Sequence, residues 1–574
     1  MTVRLPDHLD LIAAAPAGIQ KLRGLILELA VRGKLVAQDP NDEPASELLK
    51  RIAKERARLE AEGICKNSKA SPLVGADEQP FALPTGWEWS RLAGISVINP
   101  RNAADDSIIA SFVPMAMIGT RFEGTHSHEP RKWGEIKQGF THFAEGDIGV
   151  AKITPCFENS KACVFAKLQN GLGAGTTELH IVRPIGSTLA PRYVLAYLKA
   201  PMFLLVGETR MTGTAGQKRL PKEFLETNPF PLPPLAEQHH IVVKVDELMA
   251  LCDRLEAEQA DAGATHTKLV ATLLGTLTQS TGAAGLAANW QRLAEHFDTL
   301  FTTEASLDAL KQTILQLAVM GKLVPQDPND EPASELLKRI AKERARLEAE
   351  GACKKILVSL PVAESELPFS VPKDWTWRRL DELLAISGGV TLGRKLADRN
   401  AVSRPYLRVA NVQRGKLLLD HMKSLEVPAV ELAKYRLESG DLLITEGGDW
   451  DKVGRTAIWR GEIPECLHQN HVFRARPLSA GWCSRWTEMY LNSAPARAYF
   501  AASSKQTTNL ASINMTQLKS CPFPVPPLPE QHRIVAKVDE LMALVDRLQA
   551  GLAESRARQE RLAATLIESA LQAA

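Results

Sequence analysis

No stretch of this 574-residue chain approaches the ~20 consecutive apolar residues that a membrane-spanning helix needs. The opening residues, MTVRLPDHLDLIAAAPAG, hold no long apolar core ahead of a cleavage site, which argues against a secretory signal. None of the eight cysteines forms a C-x-x-C pair, so buried free thiols in a reducing cytoplasm are expected. Hydrophobic content of 45% and charge of 24% are ordinary for a globular protein, and the length calls for more than one core.

Reactive constellations are scarce too. Gly171, Gly173 and Gly175 lie in NGLGAGTTELHIV, but strand-like residues follow where a phosphate loop would open a helix. Asp451 directly precedes Lys452, and adjacent strand residues face opposite ways, so that pair cannot share a metal site. Glu135 and Lys137, with Asp106 upstream, have nuclease-like spacing but nothing else in support. Cys466, His468 and His471 fit a hydrogen-bonded cluster at least as well as a zinc site.

What the chain does have is repetition. GKLVPQDPNDEPASELLKRIAKERARLEAEG, from Gly321 to Gly351, repeats Gly33 to Gly63, and of 31 positions only Ala37 and Pro325 differ. PFPLPPLAEQHHIVVKVDELMALCDRL (229–255) returns at 522–548 with 22 of 27 positions matched. PFALPTGWEWSRL (80–92) is echoed by PFSVPKDWTWRRL (368–380). The order is therefore helix, variable block, helix, and then the same series again.

The first repeated segment should be a helix from near Pro44 to Gly63, with a narrow apolar stripe of Leu48, Ile52 and Leu59. The second places Ile241, Val245, Leu248, Cys252 and Leu255 in a coiled-coil seam that needs a partner helix, as do Ile534, Val538, Leu541, Val545 and Leu548. Between the two long helices, QSTGAAGLAANW (279–290) is expected to turn. The blocks hold strand-like runs such as ASFVPMAMI, TELHIVRP, PYLRVANVQ, DLLITEGG and HVFRARP, and each is expected to end on a helix, RYVLAYLKA or RWTEMYLNSA. Residues 64–228 carry 18 Lys and Arg against 15 Asp and Glu, and residues 355–521 carry 23 against 17. The whole chain is +2, which leaves −7 for the repeat segments. Basic blocks favour a polyanion and leave the acidic helices for proteins, although charge alone does not decide for nucleic acid.

The duplicated PLPPLAEQHHIVVKVDELMALCDRL and PVPPLPEQHRIVAKVDELMALVDRL, together with PYLRVANVQRG, GDLLITEGGDWDKVGR, HQNHVFRARP, SFVPMAMI, AKITPCFEN and TTELHIVRP, resemble the DNA-specificity subunit of type I restriction–modification systems over nearly the whole chain. In AKITPCFENSK, Ser160 stands where the family motif would have glycine. The resemblance implies an α+β architecture: two mixed α/β target-recognition domains of similar fold, separated by long antiparallel coiled-coil helices in a pseudo-twofold internal repeat. The expected divisions are repeat helices at 1–63, recognition domains at 64–228 and 355–521, spacer and docking helices at 229–354, and a C-terminal helix at 522–574. It implies double-stranded DNA, two methyltransferase subunits and translocase–nuclease subunits as partners, with S-adenosylmethionine, ATP and Mg held by those partners and no cofactor, metal or catalytic residue here. The chain would be cytoplasmic, with no membrane.

Base edges favour Arg, Lys, Asn and Gln from loops and helix ends. The candidates in the first block are Lys152, Thr154, Asn159, Lys161, Gln217, Lys218 and Arg219. In the second they are Arg394, Lys395, Asn411, Gln413, Trp450, Lys452, Arg455, Lys505, Gln506, Thr508 and Asn509. Exposed Arg51 and Arg58, with Arg339 and Arg346 in the other copy, are the candidate docking residues, since two identical partners need two identical surfaces. Asn228-Pro229-Phe230 has the order of an adenine-methyltransferase loop, but the asparagine position is Cys521 in the other copy, so both read as strand-exit prolines. The alternatives are a stand-alone two-headed repressor or architectural protein, and an enzyme with an unrecognised nuclease site.

Overall fold

The computed structural model describes residues 9–63, 72–214, 216–351, 360–393, 400–448, 452–479, 481–507 and 510–573. It divides into Met1–Gly263 with Glu554–Ala574, and Ala264–Ala553. Both long helices are therefore split by the division: Leu235–Gln279 ends in the second unit, and Leu528–Ala573 ends in the first. At ~1.5 Å per residue each is roughly 68 Å long.

In the first unit Pro44 caps the helix Ala45–Ala61, which buries Ala45, Leu48 and Ile52 and exposes most of its charged remainder. Arg56 turns inward, its Nη2 donating to the Ala93 and Ser96 carbonyls at 2.7 and 2.8 Å. Strands Ser96–Ile98, Leu179–Pro184, Ile148–Ala151 and Ala162–Val164 lie side by side in that order, all antiparallel. Every residue of Ile148–Ala151 is buried, as an apolar central strand requires. A second sheet orders Glu129–Lys132, Ile109–Val113, Leu172–Gly175 and Thr141–Ala144, with one parallel pair. Gly173 and Gly175 are strand residues packed against Phe143, and Gly171 lies in the single turn Gln169–Gly171 just before that strand.

The second unit repeats the first sheet with Leu384–Ser387, Val472–Pro477, Leu442–Thr445 and Thr456–Ile458 in the same order. The second sheet returns in part: Ala401–Leu407 pairs antiparallel with Lys423–Pro428 and parallel with Leu467–His468, as Ile109–Val113 does with Glu129–Lys132 and Leu172–Gly175. A short hairpin of Val412–Gln413 with Lys416–Leu417, and a small sheet of Gly447–Gly448, Leu510–Ser512 and Lys505–Thr507, stand where the first unit has isolated bridges. The helices Pro191–Lys199 and Ser484–Asn492 form where expected but do not end their blocks. Two further helices follow each, and then strands Pro229–Leu232 and Pro522–Val525 pair back onto Glu88–Arg91 and Thr376–Arg379.

The two units share the same fastenings. Buried Trp87 donates through Nε1 to Glu237 at 2.8 Å, and Trp375 does the same to Glu530 at 2.9 Å. Gln38 and Gln326 donate to those same carboxylates. Burial pushes both glutamates above the usual carboxylate range, and these donors pull them back. Gly33 (φ +67°) and Gly321 (φ +69°) pass so close to Pro84 and Pro372 that a Cβ would stand 2.5 and 2.7 Å from the proline rings. The seam residues Ile241, Val245 and Cys252 are buried with Ile19, Leu22 and Ile26 of the helix Gly18–Val31, and Arg23 of that helix meets Asp253 at 2.5 Å. In the second unit Lys311 meets Asp546 at 2.6 Å from the equivalent place.

One sequence expectation is corrected. The chain turns only at Ser280 and Thr281, and 282–290 belongs to the helix Gly282–Glu295. Its alanines are strong helix formers, and Leu286, Trp290 and Leu293 pack on the core, so tertiary burial outweighs the glycine signal. Among the described residues no helix is long and apolar enough to cross a membrane.

Candidate DNA interface

Several of the candidates among the described residues lie where an interior strand of each shared sheet runs out. In the first unit Lys152 N donates to Glu178 O at 3.0 Å, Leu220 N to Lys152 O at 2.7 Å, and Ala151 N to Lys161 O at 2.9 Å. In the second, Glu446 N donates to His471 O at 3.0 Å, Ile513 N to Glu446 O at 2.9 Å, and Thr445 N to Arg455 O at 3.0 Å. The backbone frame is the same, and Lys152 takes the place of Glu446, Glu178 of His471, and Lys161 of Arg455.

On this shared frame the side chains diverge. In the first unit Thr154 N donates to Lys218 O at 3.0 Å, and Lys218 N donates back to Thr154 Oγ1 at 3.1 Å. Exposed Arg219 pairs with Glu178 at 2.8 Å, holding that carboxyl below its ordinary range. Asn159, Gln217 and Lys218 are exposed around this cluster. Lys161 is set apart, since its Nζ donates to Met115 O at 2.9 Å. In the second unit Arg455 donates to Gln413 Oε1 at 2.6 Å, Lys452 packs over Gly448, and exposed Lys505 lies in the small sheet beside them.

Asn411 is buried at 3% exposure and spends both ends of its amide on Arg408 N and Leu418 O, so it shapes the hairpin rather than reaching outward. Gln506 lies in the strand Lys505–Thr507. Arg394, Lys395, Trp450, Thr508 and Asn509 lie outside the described residues, as does Asp451. Arg414 and Lys416 were not singled out from sequence. They flank Gly415, whose N–H donates to Thr456 O at 3.0 Å beside Arg455, a neighbourhood with no linear signal.

The other constellations have separate uses. Lys137 pairs with Asp106 at 2.7 Å. Cys466 Sγ donates to Leu467 O and His468 Nδ1 to Val472 O, while His471 meets Glu446 at 2.5 Å. Among the described residues no group of three His, Cys, Asp or Glu could share a metal ion. Asn228 donates to the Tyr197 hydroxyl at 2.5 Å, and Pro229 begins the strand paired to Arg91.

Burial lowers His468 from its ordinary 6.5 to about 4. It is neutral when folded, and its stabilising share, complete above about pH 6.5, is lost as pH falls toward 4. The full loss is about 3 kcal/mol. His468→Leu should therefore flatten the acid side of the stability profile, read as the difference in thermal midpoint between wild type and variant from pH 7.5 to 5.

The four docking candidates are all exposed. Arg58 pairs with Glu55 and Glu62 at 2.6 and 2.7 Å, and Arg346 with Glu343 and Glu350 at 2.5 and 2.7 Å. Arg51 and Arg339 pair with Glu43 and Glu331.

Fold and surface together define a duplicated α/β scaffold that carries a different polar surface on each copy. The family model for the type I restriction modification DNA specificity domain matches residues 372–554. The chain is 46% identical over 567 residues to the type I restriction enzyme EcoAI specificity subunit of Escherichia coli, covering 96% of this chain and 94% of that one. It is 45% identical over 558 residues to the EcoEI specificity subunit of Escherichia coli, with the same shares covered. A solved chain from work on assembly and conformational transition of the type I R-M system shares the fold, with a TM-score of 0.51 and 18% identity over 86% of this chain and 99% of that one. The chain belongs to the specificity subunits of type I restriction enzymes.

Proposed function

We propose that the chain selects a bipartite double-stranded DNA target and directs adenine-N6 methylation, or restriction, by partner subunits. Residues 64–228 would read one half and 355–521 the other, held apart by antiparallel helices from 229–354 and 522–574. The observation that carries this is the pair of matching backbone frames with unlike side chains at Lys152 and Glu446, Glu178 and His471, and Lys161 and Arg455. Identical frames suit identical approach to DNA, and unlike side chains suit different base edges. The net charges of +3 and +6 on the two blocks favour the phosphate backbone. S-adenosylmethionine, ATP and Mg would be held by two methyltransferase subunits and the translocase–nuclease subunits, in the cytoplasm. The test is direct. Purified alone with S-adenosylmethionine the chain should methylate nothing, and with its methyltransferase partner it should direct N6-adenine methylation. Methyl transfer by the isolated chain would sink the reading.

Docking is assigned to the two repeated helices, whose exposed faces are duplicated although little in the fold demands it. Arg51→Glu with Arg58→Glu should remove one methyltransferase copy in native mass spectrometry, and the same changes at Arg339 and Arg346 the other. Assembly with two copies after all four reversals would place docking elsewhere.

A further inference from the structure

Lys199 ends the helix Pro191–Lys199 and is 4% exposed. Its ammonium donates to two backbone carbonyls, Thr120 O at 3.0 Å and Ser160 O at 2.6 Å. Burial, only partly offset by Cys163 and Glu123, lowers its pKa to about 8. A buried cation held by carbonyls is a costly way to fill space, since an apolar residue would avoid the desolvation. What it holds is the exit of the loop bearing Asn159 and Lys161. Ser160 sits there at φ +56°, a left-handed conformation that favours glycine.

The second unit has a counterpart. Tyr197 and Tyr490 stand 293 residues apart, and each donates its hydroxyl to the matching strand proline, Pro229 or Pro522. Two residues beyond each tyrosine are Lys199 and Asn492. Asn492 donates to Thr456 O at 2.8 Å and accepts from Thr456 N at 3.2 Å. Thr456 follows Arg455, and Gly454 (φ +68°) occupies the place of Ser160. Two chemically different side chains at one helix position thus fasten the end of the loop in their own units, Lys199 at Ser160 and Asn492 two places further on at Thr456, the first residue of the strand Thr456–Ile458.

We propose that Lys199 and Asn492 are positioning residues that latch the reading loops, so that each fixes the sequence selectivity of one half of the target. The proposal rests on the two-reader assignment above. The physical reason is tolerance: a side chain discriminates bases only when held to within about 0.5 Å. Packing of Phe157 against Gly207 and of Gly454 against Phe500 fixes where each loop lies, and the Lys199 and Asn492 hydrogen bonds add a directional hold on the backbone next to the reading side chains.

The test is methylome sequencing of strains carrying the full chain with its methyltransferase, alongside thermal unfolding of the purified complexes. Lys199→Met should reduce discrimination at one or more positions of a single half-target by about tenfold, the worth of one good base contact. Asn492→Ala should do the same in the other half. General destabilisation would weaken both halves together and leave their base preferences intact. Lys199→Gln, shorter but still a donor, is the second variant should Lys199→Met not accumulate, and it too should relax only that half. Unchanged preferences in both halves, or equal loss in both, would overturn the proposal. Lys152→Ala with Asn159→Ala is run in parallel. If that pair relaxes one half while Lys199 variants do not, the latch fails alone; if neither does, the reader assignment fails with it.

Discussion

Replacing residues 381–520 with the equivalent block of a relative should exchange one half of the DNA target and leave the other half unchanged. The junctions make this swap practicable. Trp375, Gln326 and Glu530 all lie outside the exchanged block, so the buried carboxylate that fastens the unit keeps both donors. Arg379 and its partner Glu366, 2.7 Å apart, also lie outside it. The bonds that cross the junction from Trp486 and Tyr490 end on the carbonyls of Pro524 and Pro522, which any incoming block with an indole and a phenol at those positions can engage. Two side chains inside the block make specific bonds across its ends: Glu382, which accepts from Arg379 N at 3.0 Å, and Arg485, which meets Asp539 of the long helix at 2.9 Å in a partly exposed pair worth little by itself. Methylome sequencing of the chimera decides the matter: a change in both halves would mean that the blocks do not read independently.

Gly454→Ala should destabilise the second unit by roughly 3 kcal/mol, as the sum of two effects. An alanine at φ +68° carries about 1–2 kcal/mol of left-handed strain. Its Cβ would also stand 2.3 and 2.7 Å from carbons of the Phe500 ring, an overpacking worth about 1–3 kcal/mol. Phe500→Ala alone should cost about 3–5 kcal/mol through the cavity it leaves. Because the two residues share one space, the double variant should lose less than the two single losses together. Urea unfolding of the three variants measures this coupling, and additive losses would show that ring and glycine do not compete for that space. The first unit solves the same packing problem with the roles exchanged: Phe157 sits on the loop and Gly207 on the helix, where a Cβ would lie 2.4 Å from the ring.

That exchange marks where linear reading stops. The sequence by itself determined the duplication, the helix from Pro44 to Gly63 and its copy, the coiled-coil seam, the principal strands and the family, because each is a local pattern of periodicity, turn residues or identity. Ser160 in place of glycine was visible as a departure, but the Lys199 ammonium bound to its carbonyl, 39 residues away, was not. Asn411 looked like a base reader because asparagine suits adenine edges; only the folded hairpin commits its amide to Arg408 and Leu418. Glycines near 285 suggested a turn, and burial of Leu286, Trp290 and Leu293 made a helix instead. In each case the deciding partner lies elsewhere along the chain. Hydrogen-bond satisfaction and close packing are settled between elements, so the tertiary structure alone decided which polar side chains are spent inside the scaffold and which remain at its surface.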